Sequence, residues 1–350
     1  MGVQGVPNQR YGLGLLALVL IWLVSLAHDD ESSSSISWSM ANTITSSELS
    51  QKHREVQNPL ETVGVQTQAH YPTPSPTPYD PGESLIPRKL WHILFPIGDT
   101  ITDREVSFVG DWIRNAPGYT YTFLSTTGGS ALVAVHYGHN SEELDVFQQL
   151  TNPALKSDFL RYLVLAAQGG YYGDVDTRPL IPLDQWVPPE LRPQVRLLCA
   201  PEHDDAITPD PTAAYKVRFG QWAIAAAPGH PVLRRMVRRA MEGLRYLSQS
   251  QNTTLDMVRP DNIQVLNATG PLAWTEILWE YLFETDPNIT SQDDLSGLAT
   301  PKLVGDVLVL PITAFRAPTA GEAPWFEEHG DHRLLEHHML GTWRQWQPPS

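Results

Sequence analysis

Residues 152–176 read NPALKSDFLRYLVLAAQGGYYGDVD, and no other stretch limits the fold so strongly. Asn152 before Pro153 is a helix start, a capping side chain followed by a ring whose missing N–H costs nothing in the first turn. From Phe159 to Ala167 the helix is almost wholly apolar, so it must be covered on most sides. Gly169 ends it, and Gly170 with Tyr171 turns the chain into a strand. A buried helix running straight into a strand belongs to a layered α/β domain. Ligands of such domains bind beyond the C-terminal ends of strands. Asp174 and Asp176 fall there if Tyr171 to Val175 is a strand.

Two residues apart on a strand, these aspartates point to one face. Paired carboxylates repel each other and are easiest to hold with a cation between them. Hard oxygen ligands select Mg²⁺ or Mn²⁺, which bridge phosphate oxygens and stabilise a diphosphate leaving group. On this reading Asp174 and Asp176 are metal ligands and catalytic residues, and the glycines bring the backbone close to the ion. A surface turn with two solvated acids is the alternative. Asp158 and Arg161 share one helical face. On the surface they would be an ion pair worth a few tenths of a kcal/mol; from a buried helix they serve a site.

The rest of the chain supplies the partners of that unit. IPRKLWHILFP (86–96) reads as a first buried strand. Thr102 and Glu105 make a capping box for a helix running toward Asn115, stopped by Pro117. VRLLCA, QWAIAAA and VLVL (307–310) are strand candidates, and a helix follows Pro271. The helix opened by Pro231 gathers Leu233, Met236, Val237, Ala240, Leu244 and Leu247 on one face, with Arg234, Arg235, Arg238 and Arg239 on its solvated side. Strands alternate with helices and no repeat is visible, so the class is α/β.

The N-terminus carries a different signal. Tyr11 to Ala27 is apolar and uncharged, with Arg10 before it and acids after it. It approaches the length of a membrane span, and the flanking charges orient it as a type II signal-anchor. A signal peptide cleaved after Ala27 competes. Residues 1–10 become a cytosolic tail, and 28–84, rich in Ser, Thr and Pro, an extended stem. Sequons at Asn252, Asn267 and Asn288 suit that compartment. The formal charge of −15 excludes a basic stripe for nucleic acid. With one cysteine, Cys199, no intrachain disulfide or cysteine zinc site forms.

KSDFLRYLVLAAQGGYYGDVDT resembles the core motif of glycosyltransferase family 32, the DXD sugar-transferase group that includes fungal initiation-specific α-1,6-mannosyltransferases. IPRKLWH resembles the family's first strand, and RFGQWAIAAAPGHP (218–231) a segment of the fungal enzymes. NATGPLAWT (267–275) resembles their Thr-Gly-Pro element, and HHMLGTW (337–343) their C-terminal motif. The resemblance implies a GT-A-type fold, a single nucleotide-sugar-binding domain over 85–350. It implies that Asp158 and Arg161 hold hydroxyls of the donor sugar and that Tyr172 lines the nucleotide site. Asp174 would contact the ribose and metal shell, and Asp176 would ligate the metal. His337 would approach the metal and diphosphate, and Trp343 would help close the pocket. Leu94 stands where the family often has an aromatic residue, and Thr342 replaces its serine.

The expected protein is therefore a Golgi-membrane enzyme with its catalytic domain in the lumen. It would be a retaining mannosyltransferase using Mn²⁺ or Mg²⁺ and GDP-mannose on a glycan acceptor, with a glycosyltransferase complex as a further expected partner. A UDP-sugar transferase and a catalytically silent scaffold subunit are the alternatives. The run Glu202, His203, Asp204, Asp205 reads first as an ordinary acidic loop and second as a contact for the acceptor. His230 and Gly270-Pro271 read as turn and cap residues.

Overall fold

The computed structural model describes residues 83–95, 103–317, 322, 326–327 and 333–341. The expected tail, anchor, all but the last two stem residues, Thr102, Thr342 and Trp343 lie outside the described residues. Among the described residues no helix is long and apolar enough to cross a membrane.

The chain builds a seven-stranded mixed sheet. In chain order its strands are β1 (Lys89–Ile93), β2 (Thr120–Leu124), β3 (Gly170–Gly173), β5 (Leu197–Cys199), β8 (Ala223–Ala226), β9 (Lys302–Val304) and β10 (Val307–Val309). Their spatial order is β2-β1-β3-β8-β5-β10-β9. β1 runs parallel to β2 and β3, and β5 parallel to β10. β8 runs antiparallel to both β3 and β5, which leaves β3 and β5 parallel to each other. The C-terminal ends of β1, β3, β5 and β10 therefore open on one edge, where ligands of such sheets bind. Two ribbons stand at that edge: β4 (Thr177–Pro179) with β11 (Leu335–His337), and β6 (Pro201–Asp204) with β7 (Val217–Phe219).

Side chains alternate across the sheet as the strand period requires. Trp91, Tyr172, Ile224, Leu197 and Val307 enter one core, beneath helices α4 (Pro153–Gln168), α5 (Pro231–Ser250) and α7 (Pro271–Thr285). Leu90, Tyr171, Ala223, Leu198 and Leu308 enter the other, with Trp112 of helix α1 (Asp103–Arg114), Trp186 and Phe315. Because β8 and its neighbours are buried on both faces, they read as continuous apolar runs rather than alternating ones.

Local chemistry sets the helix ends. Asn152 caps α4 through bonds from Ala154 N and Leu155 N, with Pro153 in its first turn. His230 caps α5 by accepting from Val232 N, and Gly270-Pro271 opens α7. Three shorter helices complete the chain: α2 (Thr126–Tyr137) and α3 (Glu142–Gln149), capped by Ser125 and Ser141, and α6 (Asn262–Ala268), with a capping box from Asp261. Arg235 and Arg239 of α5 pair with Glu284 and Glu276 of α7.

Two expectations are corrected here. β3 stops at Gly173, and Asp174 to Asp176 form a turn. The reason is Thr177, whose backbone N–H and hydroxyl both bond the Asp174 carbonyl at 3.0 and 2.5 Å. Nor do the glycines bring the backbone toward an ion. Gly170 has φ 104°, and a Cβ there would lie 2.6 Å from the Lys89 carbonyl of β1. A Cβ on Gly173 would fall 2.2 Å from the Trp112 indole. Close packing of strand on strand and of strand on α1 requires these glycines.

Candidate active site

The DVD turn hangs from the C-terminal end of β3 and is held on three sides. From α4, Arg161 Nη2 reaches Asp158 Oδ1 at 2.9 Å and Asp174 Oδ1 at 3.2 Å. Its other terminal nitrogen donates to the Gln221 carbonyl at 2.8 Å, and its guanidinium lies 4.8 Å from the centre of the Tyr172 ring. From β8, the Trp222 carbonyl accepts from Asp174 N at 2.8 Å. From the C-terminal side, Leu340 N donates to Asp176 Oδ2 at 2.9 Å and His338 N to the Asp176 carbonyl at 3.0 Å.

Asp158 and Arg161 are buried. Both Asp158 oxygens are engaged, one by Arg161 and Gln221 Nε2 (3.1 Å), the other by the Thr269 hydroxyl (2.9 Å). The Tyr162 hydroxyl sits between the Gln221 side-chain carbonyl and the Thr269 carbonyl. A partly satisfied buried network is costly, whereas a filled one fixes a single geometry. Burial pushes the Asp158 carboxyl up to about 6, against the pull of Arg161 and the Thr269 hydroxyl. Burial also raises Asp174, again against Arg161. Asp176 behaves differently. Burial works against its charge, but the bonds from His337 and Leu340 N more than offset that and hold it below the usual carboxylate range.

Tyr172 is fully buried and donates its hydroxyl to Asp174 Oδ1 at 2.5 Å. His337 comes from β11, whose pairing with β4 sets His337 opposite Thr177. Its Nε2 lies 3.5 Å from Asp176 Oδ2, and its ring lies 4.5 Å from that of Trp222. His338 turns the other way, stacked on Phe108 at 4.3 Å and 3.2 Å from an Arg104 nitrogen. So four of the expected residues, Asp158, Arg161, Tyr172 and Asp174, form one bonded unit, and Asp176, two residues on, is held with His337 by the C-terminal segment. Trp343 lies outside the described residues.

Gln221, Trp222 and Thr269 were not singled out from the sequence, although each stands inside a segment that was. The acidic run divides. His203 pairs with Asp205 at 2.8 Å, and Asp204 binds Ala206 N, Gly297 N and the Ser296 hydroxyl, so these three shape loops. Glu202 alone turns to Arg218. His92, buried under Trp112 and Tyr121, is held down to about 3 by burial and stays neutral.

The donor set suits a divalent ion shared with a ligand. Asp174 and Asp176 each keep a second oxygen outside the bonds named above, and His337 Nδ1 is buried without a partner. Among the described residues no three His, Cys, Asp or Glu side chains gather into a complete metal cage. An ion that also binds phosphates needs only one or two carboxylates.

Residues 102–192 match the family described as a glycosyltransferase sugar-binding region containing a DXD motif. The matched stretch contains Asp158, Arg161, Tyr172, Asp174 and Asp176. The chain is 35% identical over 271 residues to the initiation-specific alpha-1,6-mannosyltransferase of Schizosaccharomyces pombe, covering 75% of this chain and 65% of that protein. Against the Candida albicans protein of the same name, identity is 26% over 75% or so of each chain (76% and 74%). The chain thus spans less than two thirds of the length of the fission-yeast relative. The solved PaToxG glycosyltransferase superposes on 58% of this chain and 73% of its own with a TM-score of 0.42 and 15% identity, too loosely to transfer any residue.

Proposed function

We propose that this chain is a retaining GT-A-type glycosyltransferase that moves mannose from GDP-mannose to a glycan acceptor, with Mn²⁺ (or Mg²⁺) at the DVD turn. The observation that carries the reading is the bonded unit itself. Two aspartates stand at the open edge of a parallel strand set, clamped by a buried arginine and by the returning C-terminal strand. The mannose assignment is supported by the likeness to the fungal α-1,6-mannosyltransferases. The same proposal includes a Golgi-membrane location with residues 11–27 as the anchor, supported by the apolar run and its flanking charges, and a place in a glycosyltransferase complex.

In this reading Asp174 and Asp176 would hold the ion, with the expected third ligand, His337, instead pairing its Nε2 with Asp176; the ion when bound would supply positive charge to the departing diphosphate. Asp158 and Arg161 form the floor under the donor sugar, and Tyr172 fixes Asp174 by its hydroxyl. Arg161 favours the charged form of Asp174 against its burial, and His337 with the Leu340 N–H does so for Asp176. Retention requires either a covalent intermediate or a front-side displacement; in the latter the acceptor's hydroxyl oxygen bonds to the anomeric carbon on the same face from which the diphosphate oxygen leaves as its bond to that carbon breaks. The electron pair leaves on the diphosphate, and the hydroxyl proton passes to solvent.

A donor screen tests this. The full chain is incubated with Mn²⁺, an oligomannose acceptor and a panel of nucleotide sugars, and nucleotide release and glycan mass are followed. GDP-mannose should be the active donor, and Asp176→Asn should remove both turnover and Mn²⁺-dependent GDP binding while melting cooperatively. Activity with a UDP-sugar alone would replace the donor, and full activity of Asp176→Asn would overturn the site.

A further inference from the structure

The β6–β7 ribbon leads straight into the site. Strand β6 leaves the C-terminal end of β5, which runs parallel to β3 and opens on the same edge as the DVD turn. Its partner β7 carries Arg218, and the next residues supply the Gln221 groups that hold Asp158 and Arg161 and the Trp222 carbonyl that holds Asp174. Gly220 N bonds the Ala200 carbonyl at 3.1 Å and closes the ribbon against the sheet. The register shifts between Pro201 and His203, so Glu202 sits in a bulge, a device that re-aims a side chain.

Glu202 is unlike its acidic neighbours. Its side chain is 12% exposed, and Oε1 pairs with Arg218 Nε. Its second oxygen takes no part in that pair, whereas His203, Asp204 and Asp205 are consumed by loop bonds. A third carboxylate thus stands on the ribbon that runs from the open edge of the sheet to Gln221 and Trp222, with Arg218 orienting it. A carboxylate oxygen accepts two hydrogen bonds readily, and the polar hydroxyls of a sugar are its natural partners.

Building on the transferase reading above, we propose that Glu202 is an acceptor-binding residue, its free Oε2 accepting a hydrogen bond from a hydroxyl of the acceptor sugar beside the donor. Arg218 fixes the rotamer and favours the charged form against the burial that raises the carboxyl. Discrimination then follows from burial, because an acceptor lacking that hydroxyl leaves the carboxylate oxygen unpaired.

The test separates acceptor from donor. With the full chain, kcat/KM for an oligomannose acceptor and the affinity for GDP with Mn²⁺ are measured for Glu202→Ala and Glu202→Gln. We expect kcat/KM for the acceptor to fall at least tenfold in both, with GDP affinity within twofold of the unaltered protein. The glutamine variant keeps the volume and a carbonyl for Arg218, so it decides the matter if the alanine variant does not melt cooperatively. Unchanged acceptor efficiency, or equal losses in acceptor efficiency and GDP affinity, would reduce Glu202 to a strut of the ribbon. If the unaltered protein neither binds GDP nor uses any sugar nucleotide, the transferase reading falls and this role with it.

Discussion

Arg161 is the pivot of the site, and its removal should be felt as a buried-charge defect. The guanidinium is 5% exposed, lies within 3.2 Å of two carboxylates and satisfies the Gln221 carbonyl. In Arg161→Met the apolar stem is kept, while Asp158 and Asp174 lose the cation bonded to both. Removing one partner of a buried pair costs about 3–5 kcal/mol, a large share of the roughly 5–15 kcal/mol that holds a domain together. The defect should depend on pH. Without arginine both carboxyls rise further above their unfolded values, so the folded variant binds protons more tightly than the unfolded chain. Its stability therefore improves as pH falls toward 5. Urea unfolding of variant and parent at pH 8 and pH 5 reads both effects, the difference in midpoint converting through a common m value. A deficit below about 1 kcal/mol at pH 8, or one that does not shrink at pH 5, would refute the view that Arg161 neutralises both acids.

Three further outcomes follow from the same geometry. His337→Ala should cut turnover at least about tenfold, roughly 1.4 kcal/mol of barrier, while His338→Ala, whose ring faces Phe108 and Arg104, should be far milder; steady-state kinetics of the two variants distinguish them. Asp158→Asn should gain stability relative to the parent as pH rises from about 4 to about 6. In the parent the folded-state value, about 6, lies above the unfolded one, so this group's stabilising contribution is full at low pH and lost through that window. Thermal melts at pH 4, 5 and 7 check the sign. Thr269→Val should cost about 1.5–3 kcal/mol by leaving a buried carboxylate oxygen without its donor, measured by urea unfolding at pH 7.

The unit around α4 was legible because its signals are local. Asn152, Pro153 and Gly169 mark the ends of one helix, and the run between them has no polar face. β5, β8 and β10 were legible as short apolar runs. What escaped has a physical reason too. β4 and β11 are three residues each, and their pairing joins segments far apart in the chain, so neither carries a period of its own. The turn at Asp174 depends on Thr177 bonding backward, which propensity at the aspartates does not reveal. Gln221 and Thr269 are polar residues in apolar company, and only their distances to Asp158 tell them from turn residues. Glu202 separates from Asp204 and Asp205 through a single bulge in the register.

The way the C-terminal strand meets the turn also governs when the site exists. Leu340 and Asp176, bonded at 2.9 Å, are 164 positions apart, while the central sheet is complete once β10 has been laid down. A ribosome that has passed Val309 has released every strand of that sheet, yet the partners of Asp176 are still to come. Domains fold as they are synthesised, and long-range pairings close late. A nascent or prematurely ended chain lacking residues 333–341 would thus carry a nearly complete core with an unclamped DVD turn. The clamp on the turn is gained only with residues 333–341.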